Sequence, residues 1–219
     1  RFFGQDVQTL EDFGGDQHAL DNTRMTSTPN SDMARAAFIA KLTSIPLISI
    51  GEEDFEDATP GTIMDDDFFI TPGVGTMTVS DGEIFRIEDP NATNGEGRYP
   101  RSGEQYLLLE PQNPAEDQVT LTFSQPQVAI GFDGVDIGDF GGELTAVIAR
   151  QADGTVTELV LPFHDGSGVV GQDGSISGSV LFWGIIDVKN PFVSLTLVRC
   201  KECMSIDGFA FDDLILGSI

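Results

Sequence analysis

The 219-residue sequence is strongly acidic, with 36 Asp and Glu against 11 Lys and Arg and a formal net charge of −25 at pH 7. This charge repels nucleic acid and anionic membranes, so it excludes nucleic-acid binding. It favours cation binding or a medium of high ionic strength. The length suits one domain, and 25 Gly with 16 Phe are typical of a turn-rich globular protein. No apolar run approaches the roughly 18 residues that span a bilayer, so we expect no membrane insertion.

Residues 1–29 are polar and lack a regular period after the apolar start Phe2-Phe3, and we predict an extended N-terminal arm. Two interpretations of the arm are open: it packs along its own domain, or it docks on a neighbouring copy. The chain begins at Arg1 rather than Met, which removal of a secretory leader would explain, although a trimmed chain would look the same.

Residues 30–44 are predicted to form a short α-helix. Asn30 or Ser31 can cap its first N–H groups, Asp32 suits the positive end of the helix dipole, and Pro46 prevents continuation. Apolar residues repeat at helical spacing at Met33, Ala37, Phe38 and Leu42. We expect this helix to cover one end of the domain.

From residue 45 to residue 219 the apolar period changes to two. About a dozen short apolar runs are separated by turn residues such as Asp153-Gly154, which predicts an all-β, two-sheet antiparallel β-sandwich of jelly-roll type. Residues 181–186 are apolar on both faces, so we expect a strand that is covered on both sides or that faces a partner.

The closing strand carries an acidic pair, Asp212-Asp213, where a core strand should be apolar. Buried carboxylates need a partner, and calcium accepts carboxylate and backbone oxygens in flexible geometry. The early Phe55-Glu56 and the late acidic pair are similar to motifs that meet across many carbohydrate-binding jelly rolls and hold a structural calcium. This resemblance implies a calcium site that uses Glu56 with Asp212 or Asp213. The alternative for the Glu56 segment is a solvated acidic loop, and without calcium the two Asp carboxylates would face solvent or pair with an Arg.

Two further acidic clusters occur, at Asp65-Asp66-Asp67 and at Asp133, Asp136 and Asp139. Neither has the spacing of the calcium loop in helix–loop–helix proteins. We interpret both as solvated loops, with Asp133, Asp136 and Asp139 as the weaker metal candidates.

Cys200 and Cys203 form a CxxC that directly follows a strand rather than beginning a helix, so the pattern does not favour redox catalysis. A zinc site would need two more ligands, and His18 and His164 are the only histidines. We predict a small structural disulfide between Cys200 and Cys203 in an oxidising compartment.

Catalysis has little support, because no nucleophile motif accompanies His164-Asp165, and we predict a non-enzymatic protein. Sugar binding on a sandwich uses exposed aromatic rings. Because Phe mostly fills cores, a ligand platform would fall to Trp183, Tyr99 and Tyr106, of which Trp183 is also a candidate for the interior.

Several stretches together resemble the secreted bacterial proteins that carry a PEP-CTERM sorting signal. They are Phe2-Phe3-Gly4-Gln5-Asp6, 29–38, Glu53-Asp54-Phe55-Glu56, Gly97-Arg98-Tyr99-Pro100 and 208–214. The resemblance implies export and a role at the cell surface or in a polysaccharide-rich matrix. The sequence departs from the family pattern after Gly217, where the Pro-Glu-Pro signal, hydrophobic helix and basic tail are absent, as they would be in a processed chain.

We therefore predict a secreted, non-enzymatic structural, matrix or surface protein, stabilised by calcium and assembled into fibres through docking of the N-terminal arm on other copies. The alternative is a carbohydrate-binding module that recognises polysaccharide, and a glycan-active enzyme comes third.

Overall fold

Two antiparallel β-sheets form the protein, which confirms the predicted all-β, jelly-roll-like sandwich. The computed structural model describes residues 1–63, 68–69, 75–79, 82–109, 118–139, 146–162, 169, 171, 175–198 and 208–219. The strands are β1 (Phe2–Asp6), β2 (Ser49–Glu53), β3 (Phe68–Phe69), β4 (Thr76–Val79), β5 (Glu83–Arg86), β6 (Gln105–Leu109), β7 (Gln118–Gln127), β8 (Ala129–Val135), β9 (Ala146–Gln151), β10 (Val156–Val160), β11 (Val180–Ile186), β12 (Phe192–Val198) and β13 (Phe209–Ser218). The helices are a 3₁₀ turn (Leu10–Phe13), α1 (Gln17–Asp21) and α2 (Pro29–Thr43).

The first sheet has the order β1-β11-β8-β13-β6-β5, with β2 also paired to β13, and the second has the order β10-β9-β12-β7-β4-β3. Alternate apolar side chains of both sheets meet in the main core, which includes Phe132, Trp183, Leu195 and Phe211. The outer face of the first sheet carries two smaller apolar clusters, one of which lies under α2.

A β-bulge explains the acidic pair in the closing strand. The register of β13 against β8 shifts between Asp212 and Ile215, and Asp213 adopts a left-handed conformation with φ 48°. The inward side chains change from odd positions, such as Phe211, to even positions, such as Leu214. The bulge therefore turns the two carboxylates away from the core between two apolar halves of one strand.

Helix α2 docks on the first sheet through glycines. A Cβ atom at Gly131 or Gly184 would lie 2.9 Å and 2.8 Å, respectively, from atoms of the Phe38 ring. These glycines are directly opposite each other on β8 and β11, so the ring occupies the space that two side chains would fill. Leu42 lies in the same way over Gly217. The predicted helix is present, but Met33, expected on its buried side, is 67% exposed.

The N-terminal segment pairs with its own domain. Phe2–Asp6 is an edge strand antiparallel to β11, and the following residues form the 3₁₀ turn and α1 rather than a fully extended arm. This is the arrangement expected if the arm packs along its own domain. β11 is covered on both faces, as predicted, because Phe182 packs with Phe38 and Trp183 packs in the main core.

The start of α2 is capped from outside the helix. The prediction that Asn30 or Ser31 is the N-cap was wrong: Thr28 holds that position and makes no side-chain cap bond. The buried Asp6 carboxylate instead accepts hydrogen bonds from the backbone N–H groups of Asn30 (3.1 Å) and Ser31 (2.8 Å). Asp6 thereby joins β1 to the positive end of α2.

Candidate functional site

An open cleft of about 590 Å³ lies between β1 and α2. Close approach of the two elements depends on Gly4, since a Cβ atom there would lie 2.1 Å from the carbonyl oxygen of Asn30. The described residues that line the cleft are Arg1, Phe2, Phe3, Gly4, Gln5, Asn30, Met33, Ala34, Ala37 and Val169. None of them carries a carboxylate, which is notable in a chain with a net charge of −25.

The cleft combines apolar surface with side-chain amides. Phe2 packs edge-on against Phe38, with ring centroids 5.4 Å apart, and remains partly exposed. Gln5 accepts a hydrogen bond from the backbone N–H of Val169 at 3.3 Å through Oε1, whereas its buried Nε2 has no hydrogen-bond acceptor among the described residues. Asn30 donates through Nδ2 to Asp6 Oδ1 and to the carbonyl of Gln5. Sequence patterns did not indicate this site, because β1 and α2 are brought together only by the fold.

The predicted aromatic ligand platform was wrong. Trp183, Tyr99 and Tyr106 are each at most 3% exposed, so none presents a ring face to a sugar. Trp183 lies in the main core beside Phe132, as its alternative interpretation expected. Tyr99 donates from its hydroxyl to the carbonyl of Gly178 at 3.0 Å, and burial raises its pKa to about 12.

The predicted calcium ligands Glu56, Asp212 and Asp213 converge on one loop, residues 101–105. Glu56 Oε1 accepts hydrogen bonds from the backbone N–H groups of Glu104 (2.8 Å) and Gln105 (2.7 Å). Asp212 Oδ2 accepts from those of Arg101 (2.7 Å) and Ser102 (3.1 Å). The early motif Phe55-Glu56 and the late motif Asp212-Asp213 therefore meet, as predicted. One carboxylate from each motif binds backbone N–H groups of residues 101–105.

Asp213 is bound by side chains. Its Oδ2 lies 2.6 Å from Arg35 Nη1, and its Oδ1 accepts a hydrogen bond from Ser102 Oγ at 2.7 Å. The same Arg35 nitrogen lies 3.1 Å from Asp133 Oδ2, so one guanidinium joins α2, β8 and β13. Burial raises the pKa of Asp133 to about 7, and Arg35 opposes that increase.

The interpretation of residues 133–139 as a solvated loop was wrong, since Asp133, Asp136 and Asp139 are all buried. Asp136 Oδ1 accepts a hydrogen bond from the backbone N–H of Gly178 at 2.8 Å, and its Oδ2 lies 3.3 Å from Arg98 Nε. Burial, with a further contribution from Asp139, raises the pKa of Asp136 to about 8. Asp136 thereby connects the end of β8 to the loops that carry Arg98 and Gly178.

Among the described residues, no group of three or more His, Cys, Asp or Glu side chains is placed to hold a metal ion. Calcium binding by Glu56, Asp212 and Asp213, or by the residue 133–139 group, stays a prediction. Within the same described ranges, no helix is long and apolar enough to cross a membrane.

Some predicted features lie outside the described residues. They are the disulfide between Cys200 and Cys203, the acidic run 65–67, and His164-Asp165. The disulfide and the absence of a catalytic site at His164 therefore stay predictions.

Comparison with known proteins finds no matching family model and no matching curated protein. Similar solved structures include the K2 cleaved adhesin domain of Lys-gingipain, at 13% identity and a TM-score of 0.45, covering 77% of this chain and 99% of that chain. A family 29 carbohydrate-binding module matches at 9% identity and a TM-score of 0.37, covering 78% and 91%. The CBM22-1 xylan-binding domain from Paenibacillus barcinonensis Xyn10C matches at 11% identity and a TM-score of 0.34, covering 73% and 97%. Likeness at this level does not bear on what this chain binds.

Proposed function

We propose that this protein is a non-enzymatic, extracellular carbohydrate-binding domain, and that the cleft between β1 and α2 takes a neutral polysaccharide segment. The buried Nε2 of Gln5, which has no acceptor within the described ranges, is the observation that carries the proposal. A buried amide donor without a partner is costly in a folded protein, and a sugar hydroxyl in the cleft would supply the missing acceptor once the Gln5 side chain rotates towards the ligand.

The remaining lining suits the same class of ligand. Pyranose rings present apolar C–H faces that pack on aromatic and aliphatic side chains, whereas their hydroxyls need amide donors and acceptors. Phe2 and Met33 provide the apolar surface, and Gln5 and Asn30 provide amides. Because the described part of the lining contains Arg1 but no carboxylate, these residues do not repel sugar oxygens in this acidic chain.

The matrix or fibre hypothesis required an arm that is available to other copies. β1 instead pairs with β11 of its own chain, and its Asp6 caps its own α2. We therefore rank carbohydrate binding ahead of self-assembly, while export and the relation to PEP-CTERM proteins stay part of the proposal.

A polysaccharide pull-down followed by calorimetry with the best neutral oligosaccharide tests the proposal. Gln5→Leu keeps the side-chain volume similar and removes the amide, so we expect binding to weaken about two- to tenfold. Met33→Ala should also weaken binding, because it removes apolar surface from the cleft. Leu47→Ala is the matched control, since Leu47 is 90% exposed and does not line the cleft.

Two results would overturn parts of the proposal separately. If the folded wild-type protein retains no polysaccharide, carbohydrate binding itself is wrong. If it binds but Gln5→Leu and Met33→Ala bind as tightly as Leu47→Ala, the ligand site lies elsewhere.

A further inference from the structure

Strand β10 (Val156–Val160) ends the second sheet on one side. It pairs antiparallel with β9, in a register that places Val156 opposite Arg150 and Val160 opposite Ala146. Among the strands within the described ranges, none pairs with its other edge. The cleft proposed above involves β1 of the first sheet, so β10 is an independent surface.

The alternation of hydrogen-bonded pairs along the β9–β10 ladder shows which backbone groups of β10 do not bond to β9. Gln151 N–H donates to the Thr155 carbonyl at 2.8 Å across the hairpin, which makes these residues a hydrogen-bonded pair. Hydrogen-bonded and non-hydrogen-bonded pairs alternate along an antiparallel ladder. Thr157 and Leu159 therefore bond to β9, and the N–H and C=O groups of Val156, Glu158 and Val160 point away from the sheet.

Within the described residues, Glu158 is the one feature of this edge that usually protects against strand pairing. Natural edges are kept short, covered by other segments, or blocked by charged side chains (especially Lys), Pro or bulges. At the opposite end of the sheet β3 has two residues, and in the first sheet β5 is covered by residues 61–63, with Ile84 N–H donating to Thr62 at 3.0 Å. β10 has five residues in regular register and contains neither Pro nor Lys.

The side chains beside the unpaired groups form a short recognition pattern on the outer face. Val156 and Val160 are 48% and 43% exposed, and Glu158 lies exposed between them. In an antiparallel addition, directly opposed side chains contact each other, and opposite charges there are favourable. The pattern fits a strand with a cationic residue opposite Glu158 and β-branched residues opposite the two valines.

We propose that β10 binds an extended cationic segment of another protein by strand addition. Backbone hydrogen bonds to Val156, Glu158 and Val160 would give affinity, and a Lys or Arg opposite Glu158 would give selectivity. Charge complementarity argues against a second copy of this chain. A two-fold pairing centred on Glu158 would place Glu158 opposite Glu158, and any pairing would bring together two chains of charge −25.

The test uses two labelled seven-residue peptides, TVTKTVT and TVTETVT, in binding and hydrogen-exchange experiments on the full chain. The Lys peptide should bind about three- to tenfold more tightly than the Glu peptide, and Glu158→Lys should reverse this preference. On binding, the amides of Val156, Glu158 and Val160 should exchange more slowly, while those of Thr157 and Leu159 are already protected by β9.

Val160→Pro provides a control that keeps the domain folded. Its missing N–H points away from β9, so no ladder bond is lost, and proline is tolerated at such edge positions. We expect an unchanged unfolding midpoint and loss of peptide binding. The proposal is wrong if the Lys peptide does not bind, if both peptides bind equally, or if Val160→Pro binds the Lys peptide as tightly as the wild-type protein does. It is also wrong if the wild-type protein forms dimers that Val160→Pro dissociates.

Discussion

Asp133 on β8 and Asp212 on β13 lie directly opposite each other in adjacent antiparallel strands, and both are buried. Opposed like charges destabilise a sheet, so these carboxylates need compensating partners. Arg35 lies 3.1 Å from Asp133, and the backbone N–H groups of Arg101 and Ser102 bond to Asp212. Helix α2 and loop residues Arg101 and Ser102 are therefore attached to the sheet through this pair of carboxylates.

We expect the protein to become less stable as the pH rises towards neutrality, because Asp133 of this pair holds a proton in the folded state. The pKa of Asp133 is raised to about 7, mainly by burial, whereas an unfolded Asp has a pKa of about 3.9. Between these values the folded state holds a proton that the unfolded state releases, so the free energy of unfolding falls with pH. Asp133→Asn should reduce this slope by up to about 1.4 kcal/mol per pH unit between pH 4 and 7, measured by urea unfolding.

Glu88→Gln is the control for general charge effects, because the Glu88 side chain is 79% exposed. We expect that variant to keep the wild-type slope. If Asp133→Asn and Glu88→Gln have the same pH profile as the wild-type protein, Asp133 does not bind a proton in the folded state near neutral pH.

The sequence predicted the sandwich because period-two runs between turn residues are a local signal. It also predicted that Glu56 and Asp212 serve the same part of the fold, although through a metal ion rather than through the amides of one loop. The acidic pair broke the apolar alternation because of the bulge at Asp213, and a bulge is visible only in the pairing with β8.

The cleft and the buried network could not be predicted locally. Gln5 and Asn30 become neighbours only when β1 joins β11 and α2 crosses it, a relation between segments distant in sequence. Likewise, the sequence led us to interpret Asp136 as part of a solvated acidic loop, because nothing nearby in the sequence indicates that Arg98 is its partner. The aromatic ligand platform was predicted wrongly from composition for the same reason, since the burial of Tyr106 depends on strands far along the chain.

Docking of α2 predicts a large cost for shortening Phe38. The ring is fully buried between Gly131 and Gly184 and also contacts Phe2 and Phe182. Phe38→Ala should lower the free energy of unfolding by about 3–5 kcal/mol, because neighbouring backbone cannot fill the cavity. In the same urea titration, exposed Met33→Ala should change it by less than about 0.5 kcal/mol. Similar effects of the two variants would mean that the helix is only loosely attached.

Removal of residues 1–28 separates the two interpretations of the N-terminal segment. β1 pairs with β11, Phe2 covers Phe38, and Asp6 caps α2, so the deletion should expose an edge strand and destabilise the helix. We expect a lower melting temperature and aggregation in size-exclusion chromatography. A wild-type protein that forms fibres and a truncated one that is a stable folded monomer would instead support docking of the arm on other copies.

Calcium is the remaining prediction for Glu56, Asp212 and Asp213. If an ion binds these carboxylates in the folded protein, calcium at about 100 times its Kd adds about 2.7 kcal/mol to the free energy of unfolding, or about 5–10 °C in Tm for a chain of this size. Magnesium at the same concentration is the control for screening of the −25 charge. Asp213→Asn should abolish the calcium-specific increase. Since Arg35 and backbone amides already bind Asp213 and Asp212, identical melting curves in EDTA, magnesium and calcium would mean that these protein groups replace the ion.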